Sequence, residues 1–166
     1  MISPYTLDNG IASHATAGLI VLQSDETIEW EFNGYLDREK VTLYHTRIPS
    51  ATDVTGDNLA SMLNSLPRTV SLLPVGKKFD VIGYGCTSGA AVIGSDAVAT
   101  RIRQIYTDAH VTDPLNSVVA ALRKLDIFRI GFVSPYVEEI FSIIKRHLEG
   151  VGFEIASLIS FGEAEE

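Results

Sequence analysis

The residues best placed to do chemistry lie in one run, Gly83-Tyr-Gly-Cys-Thr-Ser-Gly89, which holds the only cysteine of the 166-residue chain. Gly83, Gly85 and Gly89 let the backbone turn tightly and leave amide N–H groups uncovered. Thr87 and Ser88 add two hydroxyl donors. A sulfur in such a nest, close to a helix N-terminus, is stabilised as a thiolate, and the same donors can grip a carboxylate. The chemistry that follows is a nucleophilic or acid/base thiol beside an anion pocket. The competing reading makes Cys86 a small buried hydrophobe, the usual state of an isolated cysteine. Its position two residues after the apolar run 79–84, where ligands bind in open α/β sheets, favours the functional reading.

Other candidates carry less. The glycines read G-x-G-x-x-x-G, one residue too long for a dinucleotide fingerprint, and they follow the third strand rather than the first. His14, His45, His110 and His147 show no pairing at metal-ligand spacing, so no metal is expected. His45 and Arg47 end the second strand and are placed to face the same crevice. Tyr136, after Ser134-Pro135 at a strand end, can point its hydroxyl into a cleft or serve packing. Trp30 and Phe32 read as packing residues of the first helix.

The elements that position these residues follow a repeating grammar. Residues 1–16 are polar and aperiodic and read as an arm. Residues 17–22 form a continuous apolar run of the buried parallel-strand kind. Ser24 is the expected cap of a helix over 26–36, and 41–46 is the second strand. Leu59, Met62, Leu63 and Leu66 fall at helical spacing, with Pro67 expected to open a further turn. After the third strand and its glycine-rich loop, Ser95 is the expected cap of a helix with Val98, Ile102 and Ile105 on one stripe. A boundary falls near 110–114. Beyond it come a helix over 115–125, a strand over 129–134, a helix over 137–148 and a strand over 153–160.

Strands alternating with helices mean right-handed βαβ units and a parallel sheet. The expected architecture is a Rossmann-like α/β lobe over 17–112 followed by a partial second lobe over 113–166. The second supplies only two strands and two helices, which reads as an incomplete lobe in a truncated chain. Strand edges and an apolar helix face left open in this way predict a homo-oligomer.

Bulk properties narrow the function. The formal net charge of −8, from 13 basic and 21 acidic residues, opposes binding to nucleic acid or anionic membrane. No apolar run reaches the roughly 18 residues of a membrane helix. The absence of a signal-type leader and the single cysteine fit a reducing cytoplasm.

Four segments, Gly18-Leu-Ile-Val21, Tyr84-Gly-Cys-Thr-Ser-Gly89, Val111-Thr-Asp-Pro114 and Ser134-Pro-Tyr136, together resemble the Asp/Glu racemase superfamily, in the branch of maleate cis-trans isomerase and arylmalonate decarboxylase. The resemblance runs from about residue 17 to the C-terminus. It implies two similar α/β lobes with the active site between them, a small carboxylic acid substrate, and neither metal nor organic cofactor. By motif, Cys86 would be the first of two catalytic cysteines, adding to a substrate double bond, allowing rotation, then leaving. Gly85, Thr87, Ser88 and Tyr136 would bind the carboxylate. The decarboxylase branch has glycine at the position of Cys86, which favours an isomerase or racemase. A decarboxylase of substituted malonates and a carboxylate-binding fragment are the alternatives.

Two departures stand out. The position that is asparagine in maleate isomerases is matched here by Asp25, and an ionised aspartate repels a carboxylate. Asp25 would then bind an amino or hydroxyl group, or carry a proton. The second cysteine that the resemblance implies is absent from these 166 residues, so a two-thiol mechanism cannot run on this chain as given.

Overall fold

The computed structural model describes residues 3–7, 11 and 14–164. Of the arm expected over 1–16, residues 1, 2, 8–10, 12 and 13 lie outside the described residues. The first strand, β1 (Ala15–Leu22), starts inside that expected arm. Then follow α1 (Ile28–Tyr35), β2 (Val41–Ile48), α2 (Gly56–Val70), β3 (Val81–Tyr84), α3 (Thr87–Ile93) and α4 (Ser95–Arg103). The chain continues through β4 (His110–Thr112), α5 (Pro114–Lys124), β5 (Arg129–Tyr136), α6 (Glu138–Gly150) and β6 (Glu154–Glu163). Among the described residues no helix is long and apolar enough to cross a membrane.

The α/β architecture with parallel strands agrees with the sequence. β2, β1, β3 and β4 form one parallel sheet in that order, and β5 and β6 form a second parallel pair. Because β1 leads outward to β2 and β3 returns on its other side, the strand order reverses between β1 and β3. In open parallel sheets that reversal opens a crevice beyond the carboxyl ends of the two strands. The loops after β1 and β3 meet there.

Alternation along β2 assigns the two faces of the first sheet. Thr46 Oγ1 donates to Thr69 O of α2, and the Tyr44 ring meets Phe79 edge-on. His45 and Arg47 therefore point to the opposite face, toward α1. Leu59, Met62, Leu66 and Val70 of α2 and Val98 and Ile102 of α4 bury their apolar stripes against the first of these faces. The core continues into α6 through Ile140, Ile144 and Leu148. By contrast, α1 buries none of its residues, and Trp30 and Tyr35 are 80% and 87% exposed.

The structure corrects several expectations. The region near 110–114 holds a fourth strand, β4, only three residues long and too short to show a period. Pro67 opens nothing; it rides inside α2, where burial of Leu66 and Val70 on either side outweighs one missing backbone hydrogen bond. Ser24 does not cap α1. Its hydroxyl pairs with Ser50, while Asp25 Oδ1 accepts from the Thr27 and Ile28 N–H groups at 2.8 Å each. Ser95 does not cap α4 either. Gly94, at φ 89°, ends α3 and opens α4 in a single residue, which leaves Ser95 Oγ buried and without a hydrogen-bond partner. Trp30 is a surface residue rather than a packing one, and Ile105 lies beyond the end of α4, 38% exposed.

Candidate active site

At the end of β3 the Gly-rich run does not form an extended loop. Gly85 N donates to Ile20 O at 2.8 Å, which carries the chain one residue past the ladder. Cys86 then becomes the N-cap of α3. Its Sγ accepts from Gly89 N at 3.2 Å and lies 3.6 Å from Ser88 Oγ. A sulfur in the N-cap position takes one of the helix's unpaired N–H donors, as a cap oxygen does. That helix begins at Thr87 was not legible, because its first three residues, Thr87, Ser88 and Gly89, carry weak helix preference.

Packing explains two of the glycines. A Cβ on Gly89 would come within 2.5 Å of Tyr84 Oη and 2.9 Å of Cys86 Sγ. A Cβ on Gly85 would come within 3.0 Å of both Ile20 O and Ile28 Cδ1. Gly89 therefore makes room for the thiol, and Gly85 makes room for the loop that follows β1. Cys86 is 3% exposed and Ser88 1%, so both are held inside the protein rather than displayed on it.

The carboxyl ends of the two sheets face one another. Val54 N, in the loop after β2, donates to Ala164 O just past β6, at 2.9 Å. Glu139 on α6 reaches the first turn of α2, where a Cβ on Gly56 would meet its Oε1 at 2.8 Å. A carboxylate at that end of α2 lies favourably in the helix dipole. A cavity of about 450 Å³ lies between β5 and the helices α5 and α6, where Thr87 at the start of α3 joins Ser134, Pro135 and Tyr136 in its lining. Apolar side chains of α5 and α6, among them Leu115, Val118 and Ile144, form its floor.

Thus Thr87 and Tyr136, 49 positions apart by their numbers, share one cavity. Cys86 and Ser88 lie directly behind Thr87 at the start of α3, in contact with each other. Gly85 lines a separate apolar hollow of about 230 Å³ with Leu19, Ile28, Phe32 and Pro114. Asp25 is half-buried, and its Oδ1 is engaged in capping α1. Arg47 and His45 do not reach that cavity. The Arg47 terminal nitrogens bond three carbonyls of the β1–α1 loop and Glu29, and His45 Nε2 is buried without a hydrogen-bond partner.

Ser134 went unassigned in the sequence although it is quoted there beside Tyr136. It is 1% exposed, and its Oγ accepts from Tyr136 N at 3.2 Å. Ser160 on β6 donates to Tyr136 O. Two serine hydroxyls therefore hold the backbone from which the tyrosine projects. Asp113 is likewise buried, capping α5 through Asn116 N at 3.0 Å. Among the described residues no group of three or more His, Cys, Asp or Glu side chains is arranged to hold a metal ion.

Known proteins are similar to this chain in sequence and in fold. The chain is similar in sequence to the maleate isomerase of Nocardia farcinica, with 29% identity over 149 residues, 84% of this chain and 59% of that protein. The maleate isomerase of Pseudomonas putida is 26% identical over 151 residues, 83% of this chain and 60% of that one. The chain thus spans about three fifths of the length of these relatives. Among solved structures, a mutant of the Nocardia farcinica maleate cis-trans isomerase with a covalently bound succinylcysteine intermediate superposes with a TM-score of 0.77. That match has 26% identity and covers 94% of this chain and 66% of that one. Unliganded arylmalonate decarboxylase superposes with a TM-score of 0.63 at 15% identity, over 90% of this chain and 62% of that one, a likeness of fold alone. No protein-family model matches the chain.

Proposed function

We propose that this chain, similar to maleate isomerases in sequence and fold, belongs to the maleate isomerase branch of the Asp/Glu racemase superfamily and forms the Cys86-bearing part of a cofactor-independent isomerase of a small dicarboxylic acid. One observation carries this reading: the only thiol caps a helix at the sheet's switch point, and the next residue, Thr87, shares a cavity with the hydroxyls of Ser134 and Tyr136. The N–H of Gly89 favours the charged sulfur, and Thr87 and Tyr136 are placed as donors to a carboxylate across about 450 Å³.

In this mechanism the Cys86 thiolate adds to one alkene carbon of a cis-dicarboxylate, forming a C–S bond as the π pair moves to the neighbouring carbon. That carbon gains a proton or is held as the enolate of its carboxylate. The former double bond is then single and rotates. Loss of the proton, where one was gained, and departure of the thiolate restore the double bond in the trans form, with no net gain or loss of atoms or electrons. The succinylcysteine of the Nocardia relative is the protonated stage of such an adduct. A nucleophilic thiol fits the reducing cytoplasm expected from the sequence.

The test is incubation of the chain with maleate, with fumarate followed by NMR, beside the Cys86→Ala variant. Turnover lost in the variant supports the proposal; equal turnover in both removes Cys86 from the mechanism. A second reading, carboxylate binding without turnover, is favoured by the lone cysteine, and calorimetric binding with no fumarate formed would select it. The domain division at 112/113 and self-association belong to the same proposal. The exposed Val133, Ile159 and Phe161 of the second sheet support association, and a monomer mass by light scattering at high concentration would contradict it.

A further inference from the structure

The loop from Leu22 to Ile28 packs against Gly85, the residue before Cys86. α1, which follows it, has no fully buried residue, so packing of the helix anchors the loop only weakly. Gln23 N donates to Ile48 O at 3.0 Å and the Ser24 and Ser50 hydroxyls pair, and one side chain of the neighbouring strand gathers the loop's carbonyls. Arg47 Nη1 on β2 donates to Leu22 O at 3.0 Å, Gln23 O at 3.2 Å and Asp25 O at 2.8 Å. Its Nη2 meets Glu29 Oε1 on α1 at 3.3 Å. Three carbonyl oxygens pointing at one place repel one another unless a cation sits among them. A guanidinium serves this geometry because its donors and charge lie in one rigid plane.

The loop touches the thiol's own segment. Ile28 Cδ1 lies where a Cβ on Gly85 would come within 3.0 Å of it, one residue before Cys86. We infer that Arg47 is a positioning residue for the Cys86 site, clamping the β1–α1 loop so that the loop forms a fixed wall against the Gly85–Cys86 segment. Arg47 does not itself hold substrate, because its terminal nitrogens are committed to the loop and to Glu29. The inference rests on the proposed thiol site for its functional meaning, while the clamp itself is separately measurable.

Because Cys86 is the only thiol, the mass of the alkylated 166-residue chain reports that residue alone. The probes are iodoacetate, which carries a carboxylate, and iodoacetamide, which is neutral. Wild-type protein is expected to react with iodoacetate in preference to iodoacetamide, relative to a free thiol. In Arg47→Gln that preference is lost, iodoacetamide reacts about tenfold faster, and amide exchange of Thr27 and Ile28 speeds up by a similar factor while β3 stays protected. Arg47→Lys restores part of each effect, because an ammonium supplies charge and three donors without the fork; it carries the test if the glutamine variant does not fold. Unchanged Thr27 and Ile28 exchange together with an unchanged iodoacetamide rate overturns the clamp. A wild-type protein with no preference for iodoacetate overturns the carboxylate site instead, and leaves the clamp to be decided by exchange and the neutral reagent.

Discussion

β1 and β5 are both eight-residue strands that support a candidate site residue, β1 by pairing with β3, which leads to Cys86, and β5 by ending at Tyr136, but they are held in different ways. From Gly18 to Leu22 every residue of β1 is buried, covered by helices on one or both faces and flanked by β2 and β3. In β5 only Ser134 is buried, and its alternate residues Gly131, Val133 and Pro135 are exposed. The difference shows around the two site residues. Around Cys86 position is set by close packing, with Tyr84, Ser88 and Ala90 each about 1% exposed. Around Tyr136 it is set by hydrogen bonds, from Ser160 to its carbonyl and from its own N–H to Ser134. One wall of the cavity is thus fixed by burial and the other by polar locks on a thinner support.

Matched substitutions in the two sheets should separate most widely. Ile82 in β3 is 0% exposed, and Ile82→Ala is expected to cost about 2–5 kcal/mol in urea unfolding, the range for truncating a core Ile. Val133 in β5 is 61% exposed, and Val133→Ala should stay within about 0.5 kcal/mol, as surface changes do. Equal losses at the two positions would mean that the two sheets are buried alike in solution. The tight wall can be probed next. Gly89→Ala places a methyl against Tyr84 Oη and Cys86 Sγ, and overpacking of this kind costs about 1–3 kcal/mol. It should also change the rate of Cys86 alkylation. An unchanged urea midpoint and an unchanged rate would show that the start of α3 relaxes freely, contrary to a wall set by packing.

The same contrast explains what the sequence revealed. The buried sheet announced itself: a continuous apolar run at Gly18–Leu22 and helical stripes such as Leu59, Met62 and Leu66 match the observed burial. Features decided by a single residue's backbone were harder to read. Gly94 displaced the expected cap from Ser95, and Asp25 took the capping role expected of Ser24, since either side chain can cap and only the path of the loop selects one. Thr87 and Tyr136 were each legible as strand-end hydroxyls, but their sharing of one cavity depends on how two sheets approach, which no local pattern encodes. The partners of Arg47 were hidden for the same reason. From its register it faces the right side of the sheet, yet its partners are carbonyls, and carbonyls are invisible to residue type.

The polar locks give the smallest of the expected effects and the most direct test of the thinner wall. Ser160 Oγ donates to Tyr136 O and accepts from Gly162 N at 3.3 Å, so it ties the last residue of β5 to the end of β6. Ser160→Ala removes both bonds from a half-buried place at the cost of about 1 kcal/mol, the usual net worth of such hydrogen bonds. The effect should be local. The ring signals of Tyr136 should shift and its amide exchange faster, while the amides of Gly85 to Gly89 keep their protection, because packing rather than hydrogen bonding fixes that side. Should the exchange at Gly89 rise together with that at Tyr136, the two walls would open as one cooperative unit, and the division between a packed wall and a hydrogen-bonded wall would fail.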